Sequence, residues 1–145
     1  MILPILTYPD DILRKKTEKI KDPKDPEIKR LILDMLETMK ASGNALGLAA
    51  PQVGSSVRLC IIRLESKNYI LINPEIKSRS FRREIMEEGC LSFPGEYRPI
   101  KRHKKVTLKA LDRKGNEITI KADGMLSRAI QHETDHLDGV LFIDR

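Results

Sequence analysis

Tryptophan is absent from this chain, and only three Phe and three Tyr occur among its 145 residues. A core without large rings must be built from Leu, Ile, Val and Met. Cysteine is nearly as scarce. Cys60 and Cys90 are the only two, too few for a disulfide framework. No apolar run approaches the ~18 residues of a membrane span. The opening, MILPILTYPDD, has neither the basic start nor the apolar stretch of a secretory signal. Internal repeats and low-complexity linkers are missing too. Together these absences predict one soluble domain over residues 1–145, cytoplasmic and monomeric, with no membrane contact.

Apolar residues are present at 40%, enough for an ordinary core and too many for a disordered chain. The formal charge of +6 permits contact with nucleic acid or another anionic surface without requiring it. Lys and Arg are interleaved with Glu and Asp, as on a solvated face, and are densest from Arg98 to Lys105. Cys60 lies in the apolar run RLCIIRL and reads as a small core residue. Cys90 lies between Gly89 and Leu91, in a segment unlike a plain strand.

Asp10 can cap a short turn. Asp25-Pro26-Glu27 is a stronger helix start, because Asp caps, Pro fits the first turn and Glu suits the positive end of the dipole. Ile28, Leu31, Ile32, Met35, Leu36 and Met39 follow at helical spacing, and the helix is expected to end near Ser42-Gly43-Asn44. Val57–Leu64 and Tyr69–Ile72 read as strands, the second broken by Asn73-Pro74; Phe81–Met86 is another candidate. Val106–Leu111 and Glu117–Ala122 flank Asp112-Arg113-Lys114-Gly115, a hairpin signal. Asp123 is expected to cap a second helix that runs to about Asp138 and stops at Gly139. The order predicts an α+β fold. Antiparallel or mixed sheets would pack around a helix in the C-terminal half, with an amphipathic helix near the N-terminus.

That last helix carries the chemistry. Residues four apart share a helix face, so His132 and His136 can grip one metal ion, and Glu133 beside them can reach a water on that ion. Two exposed helical histidines would be the bland reading. A catalytic site usually takes three protein ligands and leaves a position for water. His103 is one candidate for the third, in a basic stretch where an exposed loop histidine is the simpler reading. Cys90 is the better one, since Gly89 allows an unusual turn and Glu88 can pair with a nearby Arg. Ala45–Gln52 also stands out: its small residues allow close backbone approach, and the Gln52 amide can donate a hydrogen bond.

Three segments in this order, ALGLAAPQ at 45–52, EGCLS at 88–92 and QHETDH at 131–136, resemble the marks of the peptide deformylase family. YPDDILRKK near the start is similar to the family's usual beginning, so the resemblance covers nearly the whole chain. It implies removal of the formyl group from N-terminal formyl-methionine. Cys90, His132 and His136 would be the metal ligands, and Glu133 the general base and later the acid. The Leu91 N–H and the Gln52 amide would face the oxyanion. Fe²⁺ is the expected ion, with Zn²⁺, Ni²⁺ or Co²⁺ also suited to such a donor set. The peptide would pair as an added strand along Leu46 and Gly47, with Gly89 beside it. Its first side chain would enter a pocket with Met86, Met125 and Ala129. The partners implied are formyl-Met peptides on nascent chains and a weak ribosome contact.

Three features depart from the pattern. Ala45 stands where the first motif has glycine. Arg128, one turn before His132, stands where an apolar residue is common; it is expected at the pocket rim or in solvent. The sequence continues only to Arg145, without the further helix of many bacterial relatives, so a ribosome contact through such a tail is not expected. An H-E-x-x-H peptidase and a metal-stabilised nucleic-acid-binding module are the rival readings. EGCLS argues against the first, and the second gives Glu133 no task.

Overall fold

The computed structural model describes residues 1–43 and 45–145. Asp25 begins the first helix, α1 (Pro26–Ala41), by accepting a 2.9 Å hydrogen bond from the Glu27 N–H. Ser42 closes it, and the expected end at Asn44 lies outside the described residues. Ile32, Met35 and Met39 are buried on its inner face, with Ile28, Leu31 and Leu36 half-buried at the margins.

Five strands form one antiparallel sheet in the order β1 (Gly47–Ala49), β2 (Leu59–Leu64), β3 (Lys67–Arg79), β6 (Lys105–Leu111) and β7 (Glu117–Asp123). Successive strand residues face opposite sides. Cys60 and Ile62 therefore pack with Ala129, Ile130 and Leu137 of the second helix, α2 (Gly124–Leu137), while Leu59 and Ile61 pack with α1. This explains why RLCIIRL shows no alternation: the strand is covered on both faces. The hairpin at Asp112–Gly115 is closed by Gly115 N–H donating to Asp112 O at 3.0 Å.

Three expectations need correction. Asn73-Pro74 does not end a strand; β3 runs through it. The register shifts there, Asn73 adopts φ +52°, and its side chain bonds both the N–H and the C=O of Ile20. A bulge is where Pro, lacking an N–H, does least harm to the ladder. The basic stretch Arg98–Lys105, where His103 read as a loop residue, is extended strand for the most part. Most of it belongs to β5 (Phe93–His103), which pairs with β4 (Arg83–Cys90) as a separate two-stranded sheet. Pro94 and Pro99 hide this strand from a reading by pattern. Asp123 does stand at the start of α2, but its side chain makes no capping bond. Asp138 and Gly139 (φ +75°) end that helix as expected. Among the described residues no helix is long and apolar enough to cross a membrane.

Candidate metal centre and active site

A cavity of about 520 Å³ opens between the β4–β5 hairpin, β1 and α2. Its wall includes Leu46, Gly47, Gln52, Gly89, Cys90, Leu91, Met125, Ala129, His132 and Glu133. The three sequence segments thus meet in space. Met86 does not line this cavity; it sits in β4 opposite Ile100 and is 40% exposed. His103 is half-buried away from the cavity, with Nδ1 2.7 Å from Ser80 O.

Cys90 ends β4 and faces Phe93 across a tight turn that carries Leu91 and Ser92. On α2, His132 and His136 lie one turn apart with ring centroids 5.0 Å from each other. Ligand atoms of Cys90, His132 and His136 all fall within 4.8 Å of one another, and Cys90 Sγ is 3.3 Å from His136 Nε2. Donors around a tetrahedral ion with bonds of ~2.0–2.3 Å stand roughly 3.3–3.6 Å apart, so the cluster needs only a small contraction to close on one. His132 Nδ1 lies 2.9 Å from Glu88 Oε1, which leaves the other ring nitrogen for the ion. Two buried polar atoms without partners, Glu133 Oε1 and His136 Nδ1, lie beside the same cluster. One sulfur and two imidazoles suit a borderline divalent ion, so the residues fit a metal.

The electrostatics point the same way. Burial works against a charge on His132, but hydrogen bonds with Cys90 and Glu88 outweigh it and lift the ring to about 10. Positive charge is thus favoured at the spot where a cation would replace that proton. Burial, aided by the charge on His132, keeps His136 neutral, well below its ordinary value. Burial also opposes the Glu88 carboxylate, yet hydrogen bonds from His132 and Arg102 hold it at about 2. Glu133 is pushed up to about 7, chiefly by burial, with the charge of His132 pulling the other way.

Gln52 sits in a short 3-10 turn after β1. Its Oε1 accepts from the Ala49 N–H at 2.9 Å, which fixes the amide so that Nε2 faces the cavity, 3.1 Å from Ser92 Oγ and 3.7 Å from Cys90 Sγ. Gly47 lies against Glu133: a Cβ built on it would overlap the Glu133 carboxylate, 2.9 Å from Cδ. β1 is an edge strand, bonded to β2 alone among the named strands.

Arg128 corrects its expectation in part. It lines the cavity, as one reading expected, but it is not in solvent: only 5% exposed, it donates to Glu88 Oε2 at 2.5 Å. Glu88 pairs with an Arg as expected, Arg102, 14 residues away, and also with Arg128 and His132, 40 and 44 residues away. Much of the basic stretch is also consumed internally, as Arg98 pairs with Glu96 and Arg102 with Glu88 and Asp135.

The chain is similar to known proteins over nearly its whole length. The sequence model of a family described as polypeptide deformylase matches residues 2–145. A peptide deformylase of Thermodesulfovibrio yellowstonii is 47% identical over 149 residues, covering 99% of this chain and 88% of that protein. Peptide deformylase 1 of Clostridium perfringens is 50% identical over 137 residues, covering 93% of this chain and 91% of its own. The crystal structure of the Thermotoga maritima peptide deformylase superposes with a TM-score of 0.96 at 38% identity, covering 100% of this chain and 97% of that one.

Proposed function

The chain belongs to the peptide deformylase family, metal-dependent hydrolases that remove the formyl group from formyl-methionine at the start of nascent chains; on that premise we propose that Glu133 carries the proton transfers of this reaction beside a divalent ion held by Cys90, His132 and His136. One observation carries the proposal: a buried carboxyl with an unpartnered oxygen lines the same cavity as Cys90 and His132, whose ligand atoms converge with that of the deeper His136.

The ion, for which Fe²⁺ is our assignment and Zn²⁺, Ni²⁺ or Co²⁺ are substitutes, supplies Lewis acidity that makes water nucleophilic near neutral pH. Glu133 takes the proton of the attacking water and passes it to the departing amine. Negative charge developing on the formyl oxygen meets the Leu91 N–H and Gln52 Nε2. The free edge where β1 begins, at Gly47 and the preceding Leu46, accepts the peptide as an added strand, with Gly89 across the cavity. Met125 and Ala129 receive the first side chain; a flexible thioether suits an unbranched Met. Met86 is left out of that pocket because it does not line the cavity. A single copy of the chain supplies every group named, so the reading needs no second subunit. It places the enzyme in the cytoplasm with nascent chains, and the net charge of +6 supports a weak contact with the anionic ribosome.

Release of formate from a formyl-Met peptide by anaerobically metal-loaded protein tests this reading. Formate and a peptide with a free amine are the expected products. Internal cleavage without formate would favour a peptidase and overturn it. Two variants probe the supporting groups. Gln52→Leu should lower kcat/KM by about 10²–10³ through loss of one oxyanion donor, mainly in kcat; a drop under about tenfold would remove Gln52 from that role. Gly47→Ala should displace the Glu133 carboxylate and cost at least ~10-fold in turnover with metal content unchanged, since a misplaced catalytic group can cost ~10². Unchanged turnover would show that Glu133 tolerates the shift.

A further inference from the structure

The β4–β5 hairpin that carries Cys90 shares no strand pairing with the five-stranded sheet. Backbone bonds hold its base, Ser80 N–H to Lys105 O at 2.9 Å and Gly124 N–H to Lys104 O at 3.0 Å, and side-chain links fix it further along α2, which carries both histidines. Arg128 provides the most extensive of these. Rooted on α2, it donates from Nη2 to Glu84 O of β4 at 2.7 Å and from Nη1 to Ile100 O of β5 at 2.9 Å. The same Nη1 donates to Glu88 Oε2. Arg102 grips Glu88 from the other side, Nε to Oε2 at 2.9 Å and Nη2 to Oε1 at 3.0 Å. Glu88 Oε1 is then committed to His132 Nδ1. Each carboxylate oxygen has two donors, so Glu88 has no freedom to rotate away from the imidazole.

We propose that Arg128 is a positioning residue for the metal centre: it orients His132 through Glu88 and fixes the hairpin bearing Cys90 against the helix bearing His132 and His136. This rests on the reading of those three residues as ligands. Arg is suited to the task because its planar fork reaches three acceptors on two strands at once, whereas Lys offers a single nitrogen. Outer partners that orient a ligating imidazole typically matter by about 10–100-fold in metal affinity.

The test is an anaerobic Co²⁺ titration followed by visible ligand-field absorption, with the wild type, Arg128→Leu and Arg128→Lys, each checked for folding by circular dichroism. Wild type should bind Co²⁺ with a sulfur-to-metal absorption. Arg128→Leu should bind about 10–100-fold more weakly with shifted bands, and Arg128→Lys should fall between. If Arg128→Leu does not fold, the ordering of wild type above Arg128→Lys decides. A role confined to bracing the fold would lower the thermal midpoint but leave Co²⁺ affinity and band positions unchanged; that result overturns the proposal while leaving the ligand assignment intact. A wild type that takes up no Co²⁺ would instead overturn the ligand assignment itself.

Discussion

Glu133→Ala is expected to keep its metal and lose turnover by about 10²–10⁴-fold, the usual worth of a positioned general base. The carboxyl is only 4% exposed, and its Oε1 has no hydrogen-bond partner. Such a group contributes little to the fold, since burying an unpaired carboxyl is itself costly. Truncation should therefore leave the thermal midpoint unchanged or raise it. Metal content should stay at the wild-type level, because Cys90, His132 and His136 remain. Glu133→Gln should fail similarly, as an amide of the same shape cannot accept the proton. Formate release, metal analysis and thermal unfolding on the same preparations check all three statements. Turnover within tenfold of wild type would remove Glu133 from the mechanism.

Cys90→Ser is the second large effect. A serine hydroxyl stays protonated where a thiolate ligates, so the site would be left with two imidazoles. Metal retained after dialysis against a chelator should fall by at least ~100-fold in affinity terms, beyond what loss of an orienting partner costs. His103→Ala makes the matched control. His103 Nδ1 faces Ser80 O, and its N–H is bound by Gln131, so removing the ring should not change metal content. Unchanged retention in Cys90→Ser, or loss in His103→Ala, would reverse the choice between these two residues.

Helix spacing made His132 and His136 legible, because residues four apart meet on one face whatever the rest of the fold does. The second helix, the 112–115 hairpin and the antiparallel character of the sheet were legible for the same local reason. Cys90 was different. Its approach to His136 crosses 46 residues of chain, so the residues alone made it no more than the better candidate for a third ligand until resemblance to a family promoted it. The β5 strand escaped notice because Pro94, Pro99 and a run of charges mask any alternation, and its pairing with β4 is what supplies order. The burial of Arg128 was missed for a related reason. A lone Arg on a helix near a pocket is usually solvated, and nothing local reveals that Glu84, Glu88 and Ile100 converge on it. Gly47 looked like one more small residue until Glu133 proved to lie against it. Long-range placement, more than local propensity, is what the sequence withheld.

Cys90, His132 and His136 are proposed to converge on one ion. Metal-edge X-ray absorption of the loaded protein addresses this most directly. One sulfur near ~2.3 Å and two imidazole nitrogens near ~2.0–2.1 Å are predicted for a zinc-like ion, with the sulfur lost in Cys90→Ser. A first shell of nitrogen and oxygen alone in the wild type would contradict it.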